Sequence, residues 1–261
     1  MTDTRKGFFP QISIIVPCFN SEITLEETLI SINEQSFDNW ETLIINDGSK
    51  DKTEFIALQW VKKDSRFRYY PKENEGLGKA RNFGIQKAKG EFILPLDSDN
   101  LVEFDFIEKA INILVNKPEI GVIHGHAQCF GLHNDFWQVE KYNFEKILFK
   151  NYIDACAIFR KSLWLEAGGY DDKMPFQGFE DWDLWIKFGT MKVQFLHLQQ
   201  VTFRYRISSN SMMKKYTPTT YSENINYIYR KYRCFHKQEN VFLKIVKKLP
   251  RKIFGILRRL R

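Results

Sequence analysis

Two aspartates that flank one serine, Asp97-Ser98-Asp99, are the residues of this chain whose types and spacing most directly suggest chemistry. They follow an apolar segment, residues 92–96, that predicts a buried strand. Two carboxylates at a strand end can point into one crevice. Hard divalent cations such as Mg²⁺ or Mn²⁺ prefer such oxygen ligands and keep coordination positions for phosphate oxygens. The alternative is a solvated acidic turn.

A second group of acids, Glu180, Asp181 and Asp183, lies at the start of a predicted apolar helix. The helix dipole favours carboxylates in a first turn, which accounts for some of them. Three acids together with Trp182 and Trp185 exceed what capping requires. A carboxylate beside a cleft could remove a proton from an acceptor hydroxyl during its attack. The two tryptophans could stack on sugar rings, although their spacing is more typical of core packing.

Two polar loops could bind a nucleotide. Asp47, in an Asn-Asp-Gly-Ser segment after a predicted strand, could accept a hydrogen bond from a base N–H, but Asp-Gly-Ser is also an ordinary turn. Residues 74–82 place glycines, Lys79 and Arg81 around the start of a predicted helix, where backbone N–H groups favour anions. The segment matches neither the Walker A motif nor the dinucleotide fingerprint.

The elements that position these residues alternate regularly in the first hundred residues. Apolar stretches predict strands at 12–16, 42–45, 67–70 and 92–96, and helical periodicity predicts helices at 22–35, 53–62 and 78–88. Pro17 is expected to end the first strand and Ser21 to cap the first helix. This alternation predicts an α/β fold with a mainly parallel sheet, whose ligands bind beyond the carboxyl ends of the strands.

The pattern changes after a predicted helix at 104–116. Strands are predicted at 120–126, 155–159, 193–198 and 201–205, with longer connections, and we expect this half to form the acceptor side of a cleft. His124 and His126 alternate along the first of these strands, and we expect them to have packing roles. No third ligand accompanies them to make a metal site.

Composition bounds the class of protein. With 43% hydrophobic and 15% aromatic residues, the 261-residue chain can bury a sizeable core, which argues against disorder. Four scattered cysteines without a CxxC pair argue against a zinc site or disulfides and suit a reducing cytosol, where each would be a small buried hydrophobe. No apolar run approaches the roughly 20 residues of a membrane span, and the N-terminus lacks the layout of a signal peptide. A cytoplasmic protein is expected.

The net charge of +7 is concentrated at the C-terminus. Residues 241–261 contain eight Lys or Arg and no acid, and without these cations the formal charge falls to −1. The segment mixes bulky apolar residues with the cations, and Pro250 is expected to divide it into two short amphipathic helices. Such a tail is typical of a segment lying on an anionic membrane surface and argues against a nucleic-acid partner. Its apolar face could instead pack on the domain or on a second subunit.

An ordered set of motifs resembles the family 2 glycosyltransferases over residues 10–213. In chain order the motifs are Ile-Ile-Val-Pro-Cys-Phe-Asn (14–20), Ile-Ile-Asn-Asp-Gly-Ser-Lys-Asp-Lys-Thr (44–53), Asn-Glu-Gly (74–76), Ala-Arg-Asn (80–82), Leu-Asp-Ser-Asp-Asn (96–100) and Gly-Phe-Glu-Asp-Trp-Asp-Leu-Trp (178–185). The resemblance implies a GT-A fold, with a mainly parallel mixed sheet flanked by helices. It also implies one domain, 1–240, with a donor half at about 10–100 and an acceptor half at about 101–213, before the amphipathic helical tail at 241–261.

The resemblance also implies roles for single residues. It assigns the nucleotide sugar to Pro17, Asn20, Asp47, Arg81, Asp97 and Ser98, with Asp47 on the base, and it assigns Mg²⁺ or Mn²⁺ to Asp99. For catalysis it implies Asp181 as general base, Glu180 as a positioning residue and Arg206 as a stabiliser of the leaving diphosphate, although Arg206 could also be a plain strand-end cation. Two positions depart from the family pattern. Asn100 stands where family members often have an acid, and Tyr205 stands where they sometimes have a histidine.

The implied activity is transfer of a sugar, with inversion, from a nucleotide sugar such as a UDP-sugar to a saccharide or lipid-linked acceptor. The setting would be polysaccharide biosynthesis at the inner face of the cell membrane. A nucleotidyltransferase that makes nucleotide sugars is an alternative, but its usual Gly-rich N-terminal loop is missing from residues 16–20. A non-catalytic donor-binding module is another, against which the presence of Asp99 and the Glu180-Asp181 pair argues. The sequence is also compatible with an oligomer.

Overall fold

The first half of the chain forms a parallel sheet with helical connections. The structure, a computed structural model, describes residues 9–209, 211 and 216–236. Strands β1 (Ile12–Cys18), β2 (Trp40–Asp47), β3 (Phe67–Lys72) and β4 (Phe92–Pro95) are parallel and lie in the order β3-β2-β1-β4. Helices α1 (Leu25–Asn33), α2 (Thr53–Lys63) and α3 (Leu77–Lys87) connect them. All four strands therefore end at one edge of the sheet.

The second half extends this sheet with mixed pairing. Its elements are β5 (Leu101–Val102), α4 (Phe106–Asn116), β6 (Ile120–Gly131), β7 (Phe136–Trp137), α5 (Phe144–Ile147), β8 (Ile158–Arg160), α6 (Lys161–Glu166), α7 (Glu180–Thr190), β9 (Gln194–Ile207), α8 (Pro218–Lys231) and a 3₁₀ turn, Arg233–Phe235. The sheet continues from β4 through β8, β6 and β9 to β5, and β7 pairs with β6. Strand β8 is antiparallel to β4 and β6, whereas β6 and β9 are parallel.

The predicted fold class is confirmed: a mixed α/β sheet, parallel in its first four strands and flanked by helices. Two local predictions were wrong. Helix α1 begins at Leu25, and Ser21 bonds its start through the backbone carbonyl, since its hydroxyl pairs with Ser98. Strand β1 continues through Pro17, which is tolerated because β4 stops pairing with β1 at Ile15. The predicted helical tail lies outside the described residues.

The two strands predicted at 193–198 and 201–205 form the single strand β9. Its pairing with β6 shifts where His124 lies opposite His197 but His126 lies opposite Val201, so β9 bulges between them. A Cβ on Gly125 would lie 2.4 Å from Thr202 Cγ2, and glycine therefore allows the bulged strand to approach. Polar residues in the bulge interrupt the apolar pattern, which explains why the sequence predicts two strands.

Helices pack on both faces of the parallel strands. Ile12, Ile14 and Val16 lie in one apolar cluster with α1, α2 and α4, while Ile15 lies in a second cluster with α3 and α7. Successive strand residues point to opposite faces, and strands covered on both faces read as continuous apolar runs. A Cβ on Gly84 would lie 2.6 Å from Ile15 Cγ2, so glycine lets α3 lie directly on the sheet.

Packing settles two further expectations. Trp182 and Trp185 are buried in the second cluster and donate to the Ile147 and Ile153 carbonyls, so they pack in the core. Cysteines 18, 129 and 156 are buried as expected, but Cys234, in the 3₁₀ turn, is exposed. Within residues 9–209, 211 and 216–236, no helix has the length and apolarity to span a membrane.

Three imidazoles meet between β6 and β9. The His197 ring lies 4.9 Å from the His124 ring and 4.6 Å from the His126 ring, centroid to centroid. His124 is only 2% exposed, and neither of its ring nitrogens has a hydrogen-bond partner within the described residues. Burial, with the neighbouring imidazoles of His197 and His126, lowers the pKa of His124 to about 3.

This buried imidazole predicts acid-sensitive stability. Below the unfolded-state pKa of about 6.5, His124 binds a proton in the unfolded chain but stays neutral in the folded protein. The contribution of neutral His124 to stability is therefore lost as the pH falls. We expect roughly 1–2 kcal/mol of this loss between pH 6.5 and 5. Urea denaturation at these pH values should show the loss in the wild type and much less of it in His124→Leu. The control His133→Leu, in the loop after β6, should keep the wild-type pH dependence.

Candidate active site

The loops after β1 and β2 form one wall at the carboxyl edge of the sheet. Asn20, in the left-handed region with φ 53°, donates its backbone N–H to Ser49 Oγ at 2.9 Å. Its side-chain oxygen accepts from the backbone N–H of Lys50 at 2.8 Å, and Ser21 N–H donates to Thr53 Oγ1 at 2.8 Å. Pro17 is buried beneath this wall in β1.

Asp47, at the end of β2, fixes the loop that leads into α3. Its buried carboxylate accepts from Lys72 Nζ at 2.6 Å and from the backbone N–H groups of Glu75 and Gly76 at 3.0 and 2.9 Å. A carboxylate offers about four acceptor positions, so one is left for a ligand N–H. Gly76 has φ +99°, and a Cβ there would lie 2.4 Å from Gln177 Nε2, so this loop presses against the segment before α7.

Arg81 lies at the centre of the site. It is 2% exposed, and its Nη2 donates to Asp97 Oδ1 at 2.5 Å. Its Cζ lies 5.6 Å from the centre of the Tyr170 ring. Burial alone would lower the pKa of Arg81, but Asp97, Tyr170, Glu180 and Asp181 raise it above its ordinary value. One buried cation is thus shared between the Asp-Ser-Asp segment and the Glu-Asp pair, which lie 80 residues apart in the chain.

The Asp-Ser-Asp segment follows β4 directly. Ser98 Oγ lies 2.7 Å from Ser21 Oγ, and the Ser98 carbonyl accepts from Thr24 Oγ1 at 2.8 Å, so Ser98 ties the segment to the loop before α1. Burial and the neighbouring charge of Asp97 raise the pKa of Asp99 to about 6, which Arg206 only partly opposes. The positive charge near Asp99 is therefore too small to offset burial and the charge of Asp97.

A divalent cation would supply the positive charge that Asp99 lacks nearby. Two carboxylates with one residue between them are hard oxygen donors, and a cation beside Asp99 would stabilise its ionised form. Within the part of the chain that the structure describes, no three His, Cys, Asp or Glu side chains are placed to hold a metal together. For such an ion the available protein donors would be Asp99, with Asp97 nearby, which would leave coordination positions for the oxygens of a ligand.

Arg206, near the end of β9, lies beside the same segment. Its Nε donates to the Asp99 carbonyl at 2.9 Å, its Nη2 donates to Glu27 Oε2 at 2.5 Å, and its Cζ lies 4.3 Å from the centre of the Phe130 ring. The Arg206 backbone N–H donates to Asn100 Oδ1 at 2.9 Å. Asn100, which stands where the family often has an acid, thus still accepts a hydrogen bond.

Glu180 and Asp181 begin α7 and are buried. Glu180 Oε2 accepts from the Gly178 backbone N–H at 2.7 Å, and Asp181 Oδ2 accepts from Asn151 Nδ2 at 3.0 Å. Burial raises the pKa of both carboxyls, and Arg81 opposes this shift.

The third acid of α7 has a different environment. Asp183 is fully buried and pairs with Lys231 of α8 at 2.7 Å and with Lys187 at 3.2 Å. The acid cluster recognised in the sequence therefore divides into two carboxyls that share Arg81 and one that anchors α8.

Sequence reasoning missed two residues of the site, Asn151 and Asp154, in the irregular segment between α5 and β8. Burial, then the charges of Asp97 and Asp181, raise the pKa of Asp154 to about 8. The available signal was an acid one residue before a predicted strand at 155–159. That signal becomes informative only once β8 is known to pair with β4, because this pairing brings the segment to Asp97.

Known proteins that resemble this chain are glycosyltransferases. The family model described as "Glycosyl transferase family 2" matches residues 13–167. An uncharacterized glycosyltransferase of Rickettsia typhi is 34% identical over 70% of this chain and 60% of its own length. The putative glycosyltransferase EpsH of Bacillus subtilis is 37% identical over 46% of this chain and 35% of its own.

A third relative, of Campylobacter jejuni, is named as a β-1,3-glucosyltransferase of GalNAc(5)-diNAcBac-PP-undecaprenol. It is 28% identical over 72% of this chain and 62% of its own. The chain thus spans between 35% and 62% of the lengths of these three relatives.

Solved structures share the fold at low identity. S. aureus TarS in complex with UDP-GlcNAc superposes with a TM-score of 0.66 at 20% identity, covering 82% of this chain and 64% of that one. A mannosyltransferase from Pyrobaculum calidifontis, in complex with GDP-Man and Mn²⁺, gives a TM-score of 0.61 at 18% identity, covering 84% and 69%.

Proposed function

The chain belongs to glycosyltransferase family 2, and from this premise we propose that it moves a sugar from a nucleotide sugar, a UDP-sugar, to a hydroxyl of a saccharide or lipid-linked acceptor. The observation that carries the proposal is the buried guanidinium of Arg81, which pairs with Asp97 and interacts electrostatically with Glu180 and Asp181. Donor-binding and proton-accepting groups thereby share one buried charge. TarS is known in complex with UDP-GlcNAc, and the Campylobacter relative is named for an undecaprenol-linked acceptor, which supports the substrate classes.

In this proposal Asn20 and Ser98 contact the nucleotide, Pro17 shapes the loop from beneath, and the free acceptor position of Asp47 takes the base N–H. Arg81 and Asp97 hold the ribose or diphosphate. Arg206 uses two of its five N–H donors on Asp99 and Glu27, so it can bind a diphosphate without leaving its place. A Mg²⁺ or Mn²⁺ ion bound at Asp99 would supply positive charge to the departing diphosphate.

Asp181 is the proposed general base and Glu180 the residue that positions the substrate. The acceptor hydroxyl gives its proton to Asp181 while its oxygen forms the bond to the anomeric carbon, and the bond from that carbon to the diphosphate breaks. Arg81 and the Asn151 amide favour the ionised carboxylate that this step requires. A single displacement inverts the anomeric carbon, so a product with retained configuration would contradict this mechanism.

Donor binding tests the function directly. We expect one nucleotide sugar, with Mn²⁺, to raise the melting temperature, because a ligand that binds only the folded state stabilises it. The same donor should release nucleoside diphosphate in the presence of an acceptor, and Asp99→Ala should abolish the effect of Mn²⁺. If no nucleotide sugar is bound, the proposal fails. Pyrophosphate release from a nucleoside triphosphate would favour the nucleotidyltransferase, and binding without turnover would favour a non-catalytic module.

Loss of the Asn151 amide is expected to shift the pH profile. This amide donates to Asp181 Oδ2 and so favours the ionised form, and Asn151→Ala should raise the pKa of Asp181 further. A hydrogen bond to a charged group contributes about 1.5–3 kcal/mol, which corresponds to a shift of about one to two pH units. The acid limb of kcat should move to higher pH by this amount, while Asn134→Ala, on an exposed loop, should leave it in place.

We further propose that residues 1–240 form one catalytic domain and that the basic tail, 241–261, holds it at the cytoplasmic face of an anionic membrane. The tail lies outside the described residues, and the support is its eight cations without an acid. The full chain should sediment with vesicles of anionic phospholipid, and a chain ending at Asn240 should not. Equal sedimentation of the two would contradict the membrane role.

A further inference from the structure

Asp154 lies where the donor and acceptor sides of the crevice meet. Strand β8 runs antiparallel to β4, with Phe92 opposite Arg160 and Ile93 opposite Phe159. Because β8 is antiparallel to β4, the segment that precedes β8 lies toward the carboxyl end of β4, where the Asp-Ser-Asp segment begins. Three residues before Asp154, Asn151 bonds Asp181. The segment 151–154 thus bridges the Asp-Ser-Asp segment and the start of α7.

The charges around Asp154 agree with this placement. Asp97 and Asp181 act on it from the two sides of the crevice, and Arg81 opposes them. Burial, and then the charges of Asp154, Asp99, Asp97 and Asp181, raise the pKa of the Tyr205 phenol. Asp154 therefore interacts with Asp97, assigned above to the donor, and with Asp181, assigned to the acceptor proton.

One oxygen of Asp154 has a protein partner and the other is available. Oδ1 accepts from the backbone N–H of Cys156 at 2.8 Å, which fixes the side chain. Among the described residues no hydrogen bond reaches Oδ2, and the residue is partly exposed. Burial and its acidic neighbours raise the pKa of Asp154 to about 8. In either protonation state the carboxyl can form a hydrogen bond with a hydroxyl.

The chemistry of the reaction says what should lie beside this group. The acceptor oxygen bonds the anomeric carbon while its proton goes to Asp181, so the transferred sugar must lie between Asp181 and the groups that hold the diphosphate. Asp154 interacts electrostatically with a residue on each side of that interval, Asp97 and Asp181. We propose that Asp154 hydrogen-bonds a hydroxyl of the transferred sugar and thereby helps to determine which nucleotide sugar the enzyme uses. The proposal rests on the function proposed above.

The test compares sugar selectivity with nucleotide binding in the full chain. Hydrolysis of UDP-glucose, UDP-galactose, UDP-GlcNAc, UDP-GalNAc and GDP-mannose would be measured for the wild type, Asp154→Ala and Asp154→Asn. In Asp154→Ala, the kcat/KM ratio between the best and second-best donor should fall roughly tenfold, since one hydrogen bond to a hydroxyl is lost. Asp154→Asn, which can still donate and accept, should keep most of the selectivity.

UDP, which carries no sugar, separates this role from a structural one. The affinity for UDP should stay unchanged in both variants and in the surface control Asp38→Asn, whose side chain is 95% exposed. Unchanged selectivity in Asp154→Ala would overturn the role of Asp154 alone. So would a loss of UDP affinity as large as the loss of sugar turnover. If the alanine variant does not fold, Asp154→Leu, which has a similar shape but no hydrogen-bonding group, takes its place and should show the same fall in selectivity. Failure of the wild type to bind any nucleotide sugar would overturn the proposed function itself.

Discussion

Asp181→Asn is expected to lower kcat about 10²–10⁴-fold while the affinity for the nucleotide sugar remains close to that of the wild type. The amide has nearly the shape of the carboxylate, and its oxygen can still accept from Asn151 Nδ2, so α7 should keep its position. What is lost is the ability to take a proton from the acceptor hydroxyl. Single-turnover transfer and equilibrium donor binding would separate the two effects.

Two variants of neighbouring acids serve as comparisons for Asp181→Asn. Glu180→Gln retains acceptors for the Gly178 N–H and should mainly raise KM, in line with a positioning role. Asp172→Asn, at an exposed position before α7, should leave both constants unchanged. A kcat within about threefold of the wild type for Asp181→Asn would refute its assignment as the base, since general base catalysis contributes at least about a hundredfold. Loss of donor binding in that variant would indicate a structural role.

The parallel half of the fold could be predicted from the sequence because three of its strands, β1, β2 and β4, are covered on both faces. Such strands read as apolar runs, and the predicted strand at 42–45 lies within the observed Trp40–Asp47. The ends of these strands carry the polar groups of the site, so their meeting at one edge followed from the parallel topology. Errors there were confined to ends, as at Pro17 and Ser21, where the local partner decides the outcome.

The antiparallel half could not be predicted to the same depth. The register of β8 on β4 joins segments more than 60 residues apart, and nothing in the local pattern around Asp154 indicates it. Similarly, the sequence indicated a nucleotide contact for Asp47 but not that its carboxylate also holds the backbone before α3. In both cases the role depends on a long-range contact. Motif order identified Asp47 without its partners, and it did not identify Asp154.

Arg81 is the residue whose loss should disturb both the fold and the chemistry. It is the buried counter-charge of Asp97, and Glu180 and Asp181 interact with it as well. Removing one partner of a buried ion pair leaves an uncompensated charge and typically costs about 3–5 kcal/mol. Arg81→Met should therefore destabilise the protein by about this amount at neutral pH. Arg81→Lys keeps a charge but not the planar guanidinium, and its stability should lie between those of the wild type and Arg81→Met.

The pH dependence of this destabilisation distinguishes charge from packing. Without Arg81 the folded-state pKa values of Glu180 and Asp181, already raised by burial, should rise further, so the folded state binds more protons than the unfolded state above about pH 4. The destabilisation by Arg81→Met should then shrink as the pH falls from 7.5 toward 5. Urea denaturation of Arg81→Met and of Lys79→Met, an exposed cation of the same helix, would test this. An equal loss of stability at pH 7.5 and pH 5 would mean that Arg81 acts through packing. The free energy of unfolding of the control, Lys79→Met, should stay within about 0.5 kcal/mol of the wild type at both pH values.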